Sequence, residues 1–366
     1  MNGRPEKVKI LLMIRGLRKA VASLEGYVPG EQPHNGDTIK LNTNENPYPP
    51  SPRVLSAVRR GANASLRLYP EPMGDHVRSV AAQVYGLPPE NILVGNGSDE
   101  LLSILARCFV GPGERVVYPV PTYTLYDTLI AIQEGEKVAV DYPPDFALPE
   151  AFFAQEGVLT ILCNPNSPSG TLVSLQEIER LARQVSGVLV VDEAYIDFAD
   201  SEAASALPLT QSFPHVVVLR SFSKSFSLAG MRIGLAFASR EIISAMAKVK
   251  DSYNANRLSL IAAHAALQDL PWMKRNVRRI QAGRRKLTRS LARLGFRVCP
   301  SQANFVMARR DGENLQWLYG ELKKRRILVR YFDQPGLRDS LRITVGTPRQ
   351  NTILLKEMET ILITGR

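Results

Sequence analysis

Short apolar runs alternate with segments of helical pattern between about residues 90 and 235. A continuous apolar run of this kind is typical of a strand that is buried on both faces. Strands that alternate with helices predict an α/β domain, in which helices cover a mainly parallel sheet. The predicted strands are Ile92–Val94, Arg115–Tyr118, Val158–Leu162, Val188–Val191, Val216–Leu219 and Ile233–Ala236.

The clearest helix signal lies between about residues 175 and 186. Ser174 and Glu177 have the spacing of a capping box, in which each side chain accepts a backbone N–H of the other residue. Gly187 is predicted to end this helix. The apolar positions that define its buried face are Leu175, Ile178, Leu181 and Ala182.

A different pattern follows residue 270. A long basic helix comes first, and Val277, Ile280 and Leu287 lie on its apolar face. Four strand candidates follow, which predicts a smaller α+β domain. We therefore expect an N-terminal arm (1–48) that joins the small domain, a large domain (49–269) and a small C-terminal domain (270–366). The four strand candidates are Phe296–Val298, Phe305–Met307, Ile327–Val329 and Leu341–Val345.

Composition restricts the possible partners. The 366-residue chain has a net charge of +11, and Lys274 to Arg297 is rich in Arg and Lys. This segment lacks interleaved aromatic residues, so a solvated helix face is favoured over nucleic-acid binding. No apolar run approaches the ~20 residues of a membrane span. Three widely spaced cysteines argue against disulfides and against a zinc site, and they fit the cytoplasm.

Lys224 is the strongest candidate for chemistry. It follows Ser221 and Ser223 in a Ser-x-Ser-Lys sequence, and Arg232 comes eight positions later. A lysine amine attaches the aldehyde of pyridoxal phosphate, while hydroxyls and an arginine bind the phosphate. An isolated lysine is more often a solvated surface charge, but three upstream segments each supply another part of such a site.

The first of these segments runs from Gly95 to Glu100. It follows a predicted strand and precedes a predicted helix from Leu101 to Phe109, so its free backbone N–H groups suit a phosphate. A dinucleotide-binding fingerprint would need a third glycine where Glu100 stands. The segment therefore favours a single phosphate, and a plain helix cap without ligand is the alternative.

The other segments follow predicted strands at the same sheet edge, where ligands bind in α/β folds. Tyr123 has a suitable position to stack on a flat ring, although a packing role alone is more common. Asn164 begins a Pro-rich turn and is placed to hydrogen-bond a cofactor. Asp192 ends a buried strand, which is costly without a partner such as a protonated pyridine nitrogen. Tyr195 is then close enough to bond the phenolic oxygen of the ring.

Together these motifs resemble those of the fold-type I pyridoxal phosphate-dependent aminotransferases. More narrowly, the chain resembles the histidinol-phosphate aminotransferases over nearly its whole length from about residue 16. The lysine and aspartate motifs are shared by the superfamily, whereas the Asn-x-Asn-Glu-Asn-Pro and Leu-Arg-Ile-Thr-Val-Gly-Thr sequences are narrower. The segments that carry the narrower resemblance are 41–48, 67–72, 97–100, 121–123, 301–305 and 341–347.

The resemblance implies roles for particular residues. Lys224 attaches the cofactor and moves the substrate proton, Asp192 pairs with the pyridine nitrogen, and Tyr123 stacks on the ring. Tyr195 and Asn164 contact the ring oxygen. The phosphate is bound by the backbone at Ser98 and Asp99 and by Ser221, Ser223 and Arg232.

The resemblance also implies roles toward the substrate and the partner subunit. Arg342 binds the substrate anion, with Arg330 as its companion and Tyr27 closing over the substrate. Tyr69 reaches the cofactor phosphate of a second copy, which implies a homodimer with shared sites. A surface role for Arg330 is the alternative.

The implied reaction is transamination between L-histidinol phosphate and 2-oxoglutarate in histidine biosynthesis. A threonine-phosphate decarboxylase and an aromatic amino acid aminotransferase are rivals, because they share the lysine and the aspartate. A regulator with this fold as its sensor would need a DNA-binding domain, and no helix-turn-helix pattern appears. A nicotinamide-dependent dehydrogenase is disfavoured by the missing glycine.

Overall fold

The computed structural model describes residues 15–24, 26, 30–33 and 37–364. Within these residues a seven-stranded sheet, a four-stranded sheet and a two-stranded sheet are present. The strands are β1 Ile39–Lys40, β2 Ile92–Gly95, β3 Arg115–Val120, β4 Glu136–Asp141, β5 Leu159–Cys163, β6 Val188–Asp192, β7 Val216–Ser221, β8 Gly234–Phe237, β9 Arg297–Val298, β10 Phe305–Arg309, β11 Ile327–Leu328, β12 Arg330–Tyr331 and β13 Ser340–Thr344.

Helices cover both faces of the large sheet and accompany the smaller ones. The helices are α1 Lys19–Ser23, α2 Pro52–Gly61, α3 Asp75–Tyr85, α4 Ser98–Phe109, α5 Leu125–Ile132, α6 Glu150–Phe153, α7 Leu175–Gln184, α8 Leu209–Ser212, α9 Arg240–Val249, α10 Arg257–Leu267, α11 Leu270–Arg293, α12 Gln316–Lys324 and α13 Pro348–Thr364. In the described part of the chain, no helix combines the length and the apolar character that crossing a membrane requires.

The large sheet has the strand order β2-β8-β7-β6-β5-β3-β4. Only β8 runs antiparallel to its neighbours, so the sheet is mainly parallel as predicted. Alternate residues of its strands enter two different apolar clusters, for example Val216 and Val218 on one face and Val217 and Leu219 on the other. Burial on both faces explains why these strands are continuous apolar runs. The predicted α/β fold class is confirmed.

The C-terminal part contains the antiparallel sheet β12-β13-β10-β9. The N-terminal β1 pairs in parallel with β11, so residues 39 and 40 lie beside this part of the molecule. The first of the two large apolar clusters continues from the large sheet to Phe305 and Ile343. The predicted division into an arm and two domains stays a prediction.

Two of the differences from the sequence-based predictions have a clear local cause. The edge strand β4 was not predicted, because exposed residues, most of them charged, flank its two half-buried valines and it forms no apolar run. Helix α7 has the predicted capping box at Ser174 and Glu177, but it ends at Gln184 rather than at Gly187. Val185 already has extended backbone there, and its N–H still bonds to Leu181.

Candidate active site

Six strands of the large sheet end at one edge, and residues at or after the ends of five of them, all except β4, line a cavity of about 210 Å³. Parallel strands bring residues far apart in the chain to a common edge, which is the usual ligand crevice of such sheets. The N-terminal segment and the C-terminal sheet close its other side. The cavity is lined by most of the predicted site residues, namely Ser98, Asp99, Tyr123, Asp192, Tyr195, Ser221, Ser223, Lys224, Arg232, Arg330 and Arg342.

Lys224 lies in the loop that follows β7. Its Nζ donates a hydrogen bond to the carbonyl of Thr43 at 3.2 Å and lies 5.7 Å from the Tyr195 ring. The Asn46 amide donates to the carbonyls of Lys224 and Ser225, which fixes this loop against the N-terminal segment. Burial, and then the nearby Arg342, lower the pKa of Lys224 to about 8. A larger fraction of the amine is therefore neutral near pH 7, as a nucleophile requires.

Asp192 ends β6 and is only 3% exposed. Its carboxylate accepts hydrogen bonds from the Tyr126 hydroxyl at 2.9 Å and from the Ala194 N–H at 3.2 Å. Burial raises the pKa of Asp192 to about 6 in spite of these two donors. Neither donor is a cation, so a cationic ligand group in the cavity would stabilise this carboxylate. Tyr126 was not predicted, because an aromatic residue at the start of a helix gives no signal of its polar contact.

A pocket with several potential anion donors lies where α4 begins. Its first residue follows Gly97, which has no side chain to cap the helix and has a φ of +85°. A Cβ on Gly97 would lie 2.7 Å from Nη2 of Arg232, and one on Gly234 would lie 2.6 Å from the Ser98 nitrogen. These glycines keep the helix start, Arg232 and the neighbouring strand close together. A helix N-terminus beside an arginine is suited to a phosphate group.

Hydrogen bonds between protein groups orient the side chains around this pocket. Arg232 donates to Ser223 Oγ at 3.1 Å and to Asp99 Oδ2 at 3.1 Å, while the Ser223 N–H donates to Ser221 Oγ. The Tyr123 hydroxyl donates to Asp99 Oδ1 at 3.2 Å, so its ring stands at the side of the cavity. Hydrogen bonds within the chain thus bring together the residues that were predicted to contact the phosphate and the ring.

Two arginines line the opposite side of the cavity. Arg330 on β12 and Arg342 on β13 are direct partners in the antiparallel register. Arg342 donates to Ser167 Oγ and to the carbonyl of Asn42, both at 3.0 Å. The ring of Phe332 lies within 6 Å of both guanidinium groups. Paired like charges on neighbouring strands favour an anion between or beside them.

Asn164 does not line the cavity. It is completely buried, and its amide exchanges two hydrogen bonds with the backbone of Val173, at 3.1 and 2.8 Å. This contact closes the Pro-rich turn, and Ser167 of the same turn reaches the cavity instead. The predicted contact of Asn164 with the ring oxygen stays a prediction. The sequence did not distinguish it from Ser167, because both belong to one short turn.

Two other predicted residues lie elsewhere. Tyr69 is 77% exposed, lies outside the cavity and stacks on Tyr253 with 4.4 Å between the ring centroids. Tyr27 lies outside the described residues.

The chain falls into a known class of enzymes, the aminotransferases. Residues 36–358 match the family described as aminotransferase class I and II, and the chain belongs to this family. It is 44% identical over 352 residues to histidinol-phosphate aminotransferase 1 of Trichormus variabilis, with 96% of this chain and all of that protein covered.

Two solved structures are similar as well. The histidinol-phosphate aminotransferase of Sinorhizobium meliloti, in complex with pyridoxal-5'-phosphate, has a TM-score of 0.84 and 27% identity, with 89% of this chain and 91% of that chain covered. The L-threonine-O-3-phosphate decarboxylase of Porphyromonas gingivalis has a TM-score of 0.79 and 26% identity, with 89% and 100% covered.

Proposed function

We propose that the protein binds pyridoxal 5'-phosphate in this cavity and transfers the amino group of L-histidinol phosphate to 2-oxoglutarate, as a step of histidine biosynthesis. The observation that carries the proposal is the common cavity of Lys224, Asp192 and the anion pocket at Arg232. The 44% identity to a histidinol-phosphate aminotransferase supports the choice of substrate.

The residues present fit the cofactor. Bound pyridoxal phosphate supplies an aldehyde and a ring that accepts electrons. Lys224 Nζ would attach the aldehyde with loss of water, and once released it would accept and return the substrate proton, for which its lowered pKa is suited. Asp192 holds the pyridine nitrogen in its protonated form, since an ion pair relieves the cost of burying a carboxylate. Tyr195 donates to the ring oxygen, and Tyr123 flanks the ring.

The phosphate of the cofactor is bound at the start of α4. Backbone N–H groups of Ser98 and Asp99 supply donors there, and Arg232 supplies a positive charge. Ser221 and Ser223 place hydroxyl groups beside it. The close approach at Gly97 and Gly234 supports this assignment, because a side chain at either position would separate the donors.

Arg342 and Arg330 bind the anionic end of each substrate. The two amino donors of the reaction differ there, because glutamate carries a carboxylate and histidinol phosphate carries a phosphate. Guanidinium groups form paired hydrogen bonds with either anion, so one site can accept both in turn. The predicted closure by Tyr27 remains a prediction.

We also propose a cytoplasmic homodimer with shared sites. Unpaired cysteines at 108, 163 and 299 fit a reducing compartment. Tyr69 follows two further exposed apolar side chains in the sequence, Leu66 and Leu68, and the next residues, Pro70 and Glu71, line a surface cavity of about 820 Å³. Such an exposed apolar region favours contact with a second copy, from which Tyr69 could reach the partner's cofactor phosphate.

The substrate is tested in a half-reaction. The protein loaded with pyridoxal phosphate should convert one equivalent of L-histidinol phosphate per site to imidazole acetol phosphate without any keto acid. Later addition of 2-oxoglutarate should then yield one equivalent of glutamate. Release of carbon dioxide from threonine phosphate, with no turnover of histidinol phosphate, would instead favour the decarboxylase.

Replacing Arg342 with alanine should raise KM for histidinol phosphate and for glutamate by about 10²-fold each, because both anions lose the same partner. Steady-state kinetics with each donor measures the effect. Arg349, which is exposed on α13, provides the matched control and should leave both constants unchanged when replaced by alanine. An unchanged KM for both donors in Arg342→Ala would remove Arg342 from the substrate site.

A further inference from the structure

Asn44 lies beside the proposed ring-binding side of the cavity and is only 1% exposed. Its Nδ2 donates a hydrogen bond to the Tyr195 hydroxyl at 3.0 Å. The backbone of Asn44 has a φ of +56°, in the left-handed region that asparagine and aspartate adopt more readily than most residues. Both the position and the backbone therefore suit this residue type.

The orientation of the Asn44 amide is set from the C-terminal sheet. The Asn44 backbone N–H donates to Thr344 Oγ1 at 3.0 Å, so the proton of that hydroxyl is directed elsewhere. The Thr344 hydroxyl then donates to Asn44 Oδ1 at 3.2 Å. Because Oδ1 faces Thr344, the Nδ2 group is turned toward Tyr195. Asn304 donates to the Asn44 carbonyl at 2.9 Å and holds the segment from a second side.

This arrangement determines what Tyr195 offers to a ligand. Its hydroxyl oxygen accepts from Asn44, and within the described residues that hydroxyl has no protein acceptor for its own proton. The ring packs edge-on against Phe305, with 5.1 Å between the centroids and an angle of 86°, which restricts its movement. Tyr195 lines the cavity, so its proton is available to an acceptor placed there.

We infer that Asn44 is a positioning residue. Thr344 fixes the orientation of its side-chain amide, and the amide directs the Tyr195 proton toward the ring oxygen of the cofactor. The inference rests on the proposed binding of pyridoxal phosphate and adds to it a hydrogen-bond chain from β13 to the ring. Asn44 itself touches no reacting atom in this assignment; it acts through Tyr195.

The test reverses the hydrogen bond between residues 44 and 195. Asn44→Asp keeps the shape and tolerates the positive φ, but the introduced carboxylate accepts where the amide donated, so the Tyr195 proton turns away from the cavity. We expect about tenfold weaker binding of pyridoxal phosphate to the cofactor-free protein, measured by absorbance titration. The pH midpoint of the bound cofactor's absorbance should also rise, because the anionic ring oxygen loses a donor.

A double-mutant cycle separates positioning from a general structural effect. In a Tyr195→Phe background, Asn44→Asp should cause a clearly smaller change in affinity and in the absorbance midpoint, because only the direct effect of the new charge remains. Equal losses in both backgrounds would overturn the inference. So would unchanged affinity and an unchanged midpoint in Asn44→Asp.

Thr344 provides a second pair of variants if Asn44→Asp does not fold. Thr344→Val removes the hydroxyl that orients the amide and should weaken cofactor binding about threefold or more. Thr344→Ser keeps the hydroxyl and should restore the affinity. Equal affinity in the two variants would overturn the inference. If the unaltered protein does not bind pyridoxal phosphate, the proposed function fails as well, whereas normal binding with no effect of these variants removes only the role of Asn44.

Discussion

Replacing Lys224 with alanine should lower the rate of amino transfer by about 10⁴-fold or more. One side chain carries two tasks in the proposed function, the covalent attachment of the cofactor and the movement of the substrate proton. Its amine lies in the cavity with a pKa lowered to about 8. Among the described residues that line this cavity, no other lysine is present, so no second amine can take over either task.

Single-turnover measurements with histidinol phosphate test this expectation. Borohydride treatment followed by peptide mass analysis should place the attached cofactor on Lys224 in the unaltered protein. Lys248→Ala is the matched control, since Lys248 is exposed on α9 and lies outside the cavity. Cofactor attached to another lysine, or near-normal turnover in Lys224→Ala, would contradict the assignment.

Asp192→Asn should lower the turnover rate by about 10²- to 10⁴-fold, the range expected when one partner of a buried ion pair is removed. The amide has nearly the same shape, and its oxygen can still accept the Ala194 N–H. It cannot neutralise a protonated pyridine nitrogen. The loss should therefore appear mainly in kcat rather than in KM for either substrate, since Asp192 faces the cofactor.

The same substitution should stabilise the cofactor-free protein at neutral pH. Burial raises the pKa of Asp192 from 3.8 to about 6, so the folded state binds more protons than the unfolded state between these values. Stability due to this group therefore falls as the pH rises from about 4 to about 6. At about 1.4 kcal/mol for each pKa unit, the full cost of the buried carboxylate is about 3 kcal/mol above pH 6.

Chemical denaturation of the cofactor-free variant at several pH values measures this effect. The gain in the free energy of unfolding should be largest near pH 8 and should vanish below about pH 4, where the carboxyl group is protonated in both states. Asp251→Asn, at an exposed position, should show no such dependence. A gain of equal size at all pH values would show that ionisation of Asp192 is not its cause.

The residue roles that the sequence patterns missed share a physical feature. Tyr126, Asn44 and Thr344 act through hydrogen bonds to residues at least 66 positions away, and such pairings leave no local periodicity. Asn164, in contrast, belongs to a local turn that the sequence did indicate. Only the folded chain shows that the Asn164 amide closes this turn while Ser167 faces the cavity.

Local chemistry along the chain was sufficient to predict the buried parallel strands, the capping box at Ser174 and Glu177, and the lysine motif at Lys224. Each of these depends on residues that are close in sequence, where periodicity and spacing reflect the structure directly. Tertiary structure alone decided which groups share the cavity. The carboxyl ends of separate strands meet there, and the pairing of β12 with β13 brings Arg330 opposite Arg342. Distances between such groups depend on how the sheets pack, which no short segment of the sequence determines.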